Sequence, residues 1–284
     1  ARRCVEETGD TVWTWWMDRN YPDFTYYNGE YYLNAGMSYQ DLAEKLQNPD
    51  ISHKKVKVTI PEGYTVFDIA STLEKKNVCS AKDFLKACST TEGYDYDWLA
   101  DFPKNDPHVG YILEGFLFPA TYDFGENSKA TDIADAMLEA FDQRITDEVK
   151  TYCKQRGYTL YQFVTLCSIV QKEALSKSSQ GNIASTLENR LDKGMKIECD
   201  VTYYYAKALR DHGFSQSVYD AYYTYRCPGL PAGPIANPGT EIMTATVEHP
   251  STDYLYFFSD LKGDFHFAAT YGEFESLKAK YPWK

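Results

Sequence analysis

The sequence predicts an α+β protein. A small α/β module over residues 31–105 precedes a larger mixed α+β domain over 106–284, and an aromatic segment, 1–30, comes ahead of both. Three observations lead to this. Residues 131–145, 160–175 and 179–195 carry apolar side chains at helical spacing. Short alternating or aromatic runs, Val56–Val58–Ile60 and Tyr254–Phe258, read as strands. Between the two parts, residues 90–107 turn polar and irregular, which marks a boundary.

In chain order, residues 1–30 are aromatic and poorly periodic; Trp13, Trp15 and Trp16 suit either a hydrophobic plug or a sticky flap. From Tyr31 the pattern reads strand, turn at Asn34–Gly36, then a helix capped by Ser38 with Leu42 and Leu46 on one face. The next unit repeats this plan. It has a strand through Val56, Val58 and Ile60, a Pro-Glu-Gly turn, and a helix capped by Thr65 with Phe67, Ile69, Ala70 and Leu73 turned inward. A third helix begins at Ser80, with Phe84 and Leu85 inward. After the boundary, the string Leu113–Phe124 is apolar and aromatic except for Glu114, which is either a turn former or a carboxylate lining a cleft; Pro119 breaks any strand there. The 131–145 helix is scaffold, with Ile133, Met137, Leu138 and Phe141 on its inner face.

The stretch Leu160–Leu175 is the centre of the chain. Its apolar stripes pass through Leu160, Phe163, Val164, Cys167, Val170 and Ala174 and through Leu166, Ile169 and Val170, and Glu173 continues them. Burying an unpaired charge is costly, so such a carboxylate either holds its proton near neutral pH and becomes a proton donor, or swings out to solvent or to a Lys. In the next helix Ile183, Leu187 and Leu191 face the core, Gly194 is the C-cap, and Asn189 and Arg190 flank that face. Arg190 there is either a structural ion-pair partner or a holder of a carboxylate or sugar substituent. The run from Met195 to Ala206 reads as strand or loop and carries Asp200 and Thr202. Residues 222–239, braced by Pro228, Pro231, Pro234 and Pro238, form a long rigid loop of the kind that carries function. A helix starts at Glu241. The chain then makes a hairpin, Tyr254–Phe258 and Phe265–Ala269 around a turn at Leu261–Asp264, with His266 facing opposite to Phe265 and Phe267.

The net charge of −12 argues against nucleic acid as a ligand, because phosphate binding needs a basic field. No apolar run is long enough to span a membrane. Seven scattered Cys without a C-x-x-C pair give no zinc ribbon and no disulfide framework, although a single bridge such as Cys79–Cys88 is compatible with them. No metal-ligand spacing is present, and Lys172 lacks the phosphate-cradling Gly-rich loop of a pyridoxal-phosphate site, so no cofactor is expected.

Five motifs in this order, LEGFLFPATY, SIVQKE, ENRLDKGMKIECDVT, TYRCPGLPAGPIANPG and YLYFFSD with FHFAATYGE, resemble the endolytic murein transglycosylase (YceG-like, or MltG) family over residues 31 to about 276. The resemblance implies a LysM-like N-terminal module, a YceG-like catalytic domain, and a lyase that cleaves the MurNAc–GlcNAc bond of peptidoglycan to leave 1,6-anhydroMurNAc ends. It implies glycan strands as substrate and cell-wall synthesis proteins as partners. It also implies a place at the outer face of the bacterial cell membrane, held by a transmembrane anchor ahead of Ala1. The family's acid, the Glu ending its S-I-V-E-K-E segment, falls on Glu173. Gln171 stands where the first Glu of that segment is common, which leaves Glu173 as the acid. Glu114, Asn189, Arg190, Asp200, Thr202, Tyr225, Asn237 and His266 are expected to line the substrate groove, Glu114 foremost. Val201 replaces a usual Pro, Tyr223 a common Asn, and Cys227 an aromatic or aliphatic residue. The alternatives are a two-carboxylate hydrolase using Glu173 with Glu114, and an inactive glycan-binding scaffold of the cell-wall machinery.

Overall fold

The structure is a computed structural model that describes residues 10–25, 31, 36–47, 55–174 and 176–283. Its contacts separate two compact units, residues 1–56 with 125–127, and residues 57–124 with 128–284. The boundary near Val56 falls inside the stretch expected as a module, 31–105, and residues 57–105 belong with the larger unit.

In the smaller unit, α1 (Asp10–Asn20) and α2 (Tyr39–Gln47) build a core from Trp13, Met17, Ala43 and Leu46, ringed by Trp16, Tyr21, Phe24 and Leu42. Trp13 meets Tyr39 edge-on at 5.4 Å. Ser38 caps α2: its hydroxyl accepts from the Asp41 N–H at 3.2 Å while Asp41 returns a bond to the Ser38 N–H at 3.1 Å. Trp13 is therefore a core residue, whereas Trp15 is exposed. The strand expected just after Tyr31 lies outside the described residues, as does Cys4.

The larger unit opens with β1 (Val56–Thr59), whose Val58 is buried as the alternation requires. It pairs with β2 (Thr121–Phe124). Helix α3 (Val66–Lys75) is capped by Thr65 in a full capping box with Asp68, and buries Val66, Ile69, Ala70 and Leu73. Helix α4 (Ala81–Ala87) starts at Ser80 and buries Phe84. Cys79 and Cys88 stand at opposite ends of α4 as free thiols, so the bridge between them does not form. The polar stretch 90–107 contains a 3₁₀ turn, Asp97–Asp101, and buries Leu99 and Phe102. Helices α5 (Ala130–Asp142) and α6 (Asp147–Arg156) follow.

Helix α7 (Leu160–Glu173) is the core element. Thr159 caps it with Gln162, and every residue from Phe163 to Val170 is buried. A helix apolar on all sides must be surrounded. Here α6, α8 (Lys177–Asp192), α9 (Asp200–Asp211) and α11 (Thr240–Val247) pack against it. The run expected as strand or loop around Thr202–Ala206 is in fact the first half of α9. Its buried residues Thr202, Tyr205, Ala206 and Leu209 recur at helical spacing, which overrides the strand preference of the Tyr cluster. Helix α10 (Gln216–Tyr222) leads into the Pro-rich loop, which is irregular and largely buried from Pro234 to Gly239. Gly115 is the point where this loop meets α7. Its φ is +89°, and a Cβ there would lie 2.5 Å from Pro234 and 2.8 Å from Val164. The chain ends in an antiparallel hairpin, β3 (Tyr256–Ser259) with β4 (Phe265–Ala268), pairing Tyr256 with Ala268 and Phe258 with His266, followed by α12 (Tyr271–Lys280). Among the described residues no helix is long and apolar enough to cross a membrane.

Candidate active site

Helix α7 leaves the core at its last turn. Val170 is fully buried, whereas Glu173 is half-buried and opens onto a cleft of about 420 Å³. One wall comes from α7 and α8, through Lys172, Glu173 and Arg190. The floor is the segment Ile197–Asp200 that enters α9, and the far wall is the hairpin, through Phe257, Phe258 and Phe265, with Trp283 beside it. Tyr225 of the Pro-rich loop completes the rim.

Burial pushes the Glu173 carboxyl up to about 7 from an ordinary 4.5, and the Asp200 charge adds to this; the Cys199 thiol and the Val201 N–H face the carboxylate and act the other way. The two donors belong to the N-terminus of α9, where free amides favour an anion. The Val201 N–H exists because this position is not Pro. A carboxyl that titrates near neutrality in a cleft is suited to giving and taking a proton.

The cleft brings together four of the residues expected in it: Glu173, Arg190, Asp200 and Tyr225. The Arg190 guanidinium bonds Glu198 at 2.6 Å, so its charge is already paired within the cleft. Five expected residues are elsewhere. Glu114 is fully buried, accepting from the Val66 N–H at 2.9 Å and from Asn237 Nδ2 at 2.7 Å. Asn237 is equally buried; its Oδ1 accepts from the Leu117 N–H at 2.8 Å and its Nδ2 also donates to the Tyr64 carbonyl at 3.0 Å. Together they satisfy the backbone where α3, the 113–118 turn and the Pro-rich loop converge, and neither reaches the groove. Thr202 is sealed beneath the floor, bonding Thr224 Oγ1 at 2.9 Å. Asn189 donates to the carbonyls of Thr252 and Tyr254 at 2.9 and 3.0 Å, pinning the approach to β3. His266 turns to Asp260, 3.1 Å away, and stacks on Tyr281 at 3.9 Å. Each is a polar side chain whose partners are backbone or neighbouring scaffold, which a sequence does not display.

The profile of the YceG-like family matches residues 3–280. The chain belongs to the YceG-like family. Among relatives, it is 30% identical to the endolytic murein transglycosylase of Bacillus subtilis (strain 168) over 263 residues, covering 89% of this chain and 72% of that protein. It is 29% identical to the endolytic murein transglycosylase of Streptococcus pneumoniae serotype 2, covering 86% of this chain but 48% of the relative, so it spans about half of the pneumococcal protein. A crystal structure of a yceG-like protein from Listeria monocytogenes superposes with a TM-score of 0.67 at 29% identity, covering 96% of this chain and 93% of the other.

Several cleft residues of this YceG-like chain escape sequence reasoning. Lys172, Glu198, Cys199, Phe257, Phe258 and Trp283 all line it. The hairpin aromatics read as a buried strand, but a two-stranded hairpin leaves a face open and that face is the cleft wall. Trp283, 49% exposed, and Tyr225, 40% exposed, give the cleft two large accessible rings. Glu198 carries a positive φ of 53°, an uncommon conformation for a non-Gly residue, and this turn aims its carboxylate at Arg190. Among the described residues no group of three or more His, Cys, Asp or Glu is placed to hold a metal ion.

Proposed function

We infer that this YceG-like chain is an endolytic lytic transglycosylase that cleaves the MurNAc–GlcNAc bond of peptidoglycan, with Glu173 as its acid and base. The observation that carries the assignment is a carboxyl lifted to about 7 by burial at the edge of an aromatic-walled cleft. Relatives named endolytic murein transglycosylase, matching most of the chain, support the same reading.

In this mechanism protonated Glu173 gives its proton to the glycosidic oxygen. The bond from that oxygen to C1 of MurNAc breaks, and an oxocarbenium-like centre develops. The resulting Glu173 carboxylate takes the proton from the MurNAc C6 hydroxyl, whose oxygen closes onto C1. The product is a 1,6-anhydro ring, and no water is consumed. The nucleophile belongs to the substrate, so one carboxyl serves both steps, where hydrolytic glycosidases use two. The Cys199 thiol and the Val201 N–H stabilise the carboxylate between the steps, and Asp200 favours its reprotonation. Tyr225 and Trp283 offer flat apolar faces to sugar rings.

The remaining parts of the proposal follow from the substrate and the family resemblance. A LysM-like role belongs to residues 31–105, a stretch that takes in parts of both units, and catalysis to 106–284. The protein works at the outer face of the bacterial cell membrane, anchored by a transmembrane helix outside this sequence, alongside cell-wall synthesis proteins. A hydrolase pairing Glu173 with Glu114 has little support, since both Glu114 oxygens are engaged in the core. Digestion of polymeric peptidoglycan followed by mass spectrometry of the new ends tests the reading. Anhydro ends are expected. Reducing MurNAc ends indicate a hydrolase, and binding without cleavage indicates a scaffold.

A further inference from the structure

Glu173 is the last residue of α7, and no further helical turn holds that end in place. Side chains just before it are instead tied to two distant segments. Gln171 Oε1 accepts from the Gly239 N–H at 3.0 Å, at the end of the Pro-rich loop. Lys172 Nζ donates to the Gly63 carbonyl at 3.3 Å, in the turn between β1 and α3. The two segments are also joined to each other, because the Gly63 N–H donates to the Asn237 carbonyl at 2.8 Å and the Asn237 N–H to the Tyr64 carbonyl at 2.9 Å. Gly63 has a φ of +76°, and a Cβ on it would lie 3.4 Å from Gln171 Cγ, so the Gln stem lies directly over the turn. Two residues along an α-helix is a rotation of roughly 200°. Gln171 therefore reaches back into the scaffold while Glu173 faces the cleft, which Gln171 does not line.

We propose that Gln171 is a positioning residue for Glu173: through its bond to the Gly239 N–H it clamps the last turn of α7 and fixes where the carboxyl sits in the cleft. The proposal rests on Glu173 being the acid and base. The clamp uses only the side-chain oxygen as an acceptor, so a Glu at 171 would do the same work. The Glu common at this position in resembling sequences and the Gln found here are then equivalent in positioning, and neither takes part in the chemistry.

The test compares Gln171→Met and Gln171→Glu in the full chain. Met keeps the length and the packing over Gly63 but removes the acceptor; Glu keeps the acceptor. Two quantities are read: kcat and KM on polymeric peptidoglycan, and the titration midpoint of Glu173 by ¹³C NMR of glutamate-labelled protein, with Glu173→Gln assigning the signal. The titratable and charged groups around Glu173, namely Lys172, Arg190, Glu198, Cys199, Asp200 and Tyr225, are untouched by Gln171→Met, whereas Gln171→Glu adds one carboxyl on the scaffold side, near Glu62 at Gly239. The expected result for Gln171→Met is a fall in kcat of roughly ten- to a hundred-fold, as small displacements of a reacting group produce. KM should stay within about twofold, and the midpoint should move from about 7 toward the ordinary 4.5 as the carboxyl gains solvent. Gln171→Glu is expected to stay within about threefold of wild type in kcat and to hold the midpoint at or above about 7, since the added carboxylate can only raise it. The proposal is overturned if Gln171→Met keeps both kcat and the midpoint, or if Gln171→Glu is as impaired as Gln171→Met. Should Gln171→Met fail to fold, Gln171→Glu decides alone: a retained rate with a midpoint at or above about 7 supports the clamp, and loss of rate or a fall of the midpoint toward 4.5 overturns it. The midpoint needs no substrate. Anhydro product from Glu173→Gln would therefore overturn the functional reading while leaving the clamp to stand or fall on the titration.

Discussion

Glu114 is a carboxyl with no access to solvent, and that has a measurable consequence for stability. Burial raises it from an ordinary 4.5 to about 7, against the pull of the Val66 N–H. The folded protein thus holds this proton more tightly than the unfolded chain does. The stability it confers is fully present below pH 4.5 and is lost as pH rises through about 7. At 1.36 kcal/mol per pKa step the loss is on the order of 3 kcal/mol by pH 8, most of it above pH 5. Two other groups act in the same direction: Glu173, discounted because it opens onto the cleft, and His249, raised chiefly by its bond to Glu188. Glu188 is shifted downward, so its contribution changes below pH 4.5, outside this window. Glu114→Gln isolates the Glu114 part. The amide keeps one acceptor and turns an NH₂ toward either the Val66 N–H or the Asn237 amide, which costs about 1–3 kcal/mol at any pH. Urea unfolding of both proteins at pH 5, 6, 7 and 8 should show the variant less stable at pH 5. The difference should then shift in the variant's favour by about 2–3 kcal/mol toward pH 8, cancelling or reversing it. Parallel curves, or wild-type stability rising from pH 5 to pH 8, would refute the account of a proton held in the core.

Asp200→Asn removes a like charge that raises the Glu173 carboxyl, so the basic limb of the pH profile of kcat/KM should move to lower pH by up to about one unit; an unchanged or upward-shifted limb contradicts the arrangement of the cleft. Gly115→Ala combines a φ of +89° with a Cβ driven into Pro234 and Val164, and should cost roughly 2–5 kcal/mol in thermal or denaturant unfolding. A loss under about 1 kcal/mol would mean that the loop and α7 do not meet there as described.

Much of the scaffold was legible because its signals are local. Ser38, Thr65 and Ser80 sit at helix starts where a hydroxyl is needed, and α5 buries the apolar face read for it, while α8 buries Ile183 and Leu187 but leaves Leu191 half-buried. The position of Glu173 at the edge of the core was legible for the same reason: it continues a stripe that is buried from Phe163 to Val170. Glu114 shows the limit. A lone carboxylate in an apolar string fits a cleft wall and a hydrogen-bonded core position equally well, and its partners Val66 and Asn237 lie 48 and 123 residues away in sequence. Asn237 and Thr202 were misplaced for the same reason. Helix α9 was hidden by Tyr203–Tyr205, whose strand preference outweighed the helical spacing of Thr202, Tyr205 and Leu209. The hairpin wall of the cleft was hidden because apolar residues facing a ligand and apolar residues facing a core give the same pattern.

The central claim is that one carboxyl, Glu173, both gives and takes the proton. Its most direct test is Glu173→Gln, incubated with polymeric peptidoglycan beside the wild-type protein, with the chain ends resolved by mass spectrometry. The amide preserves size and folding but cannot donate an acidic proton, so formation of 1,6-anhydroMurNAc ends should fall by at least about a hundredfold while glycan strands are still bound. Anhydro ends appearing at the wild-type rate would contradict the claim and move the chemistry to another residue of the cleft.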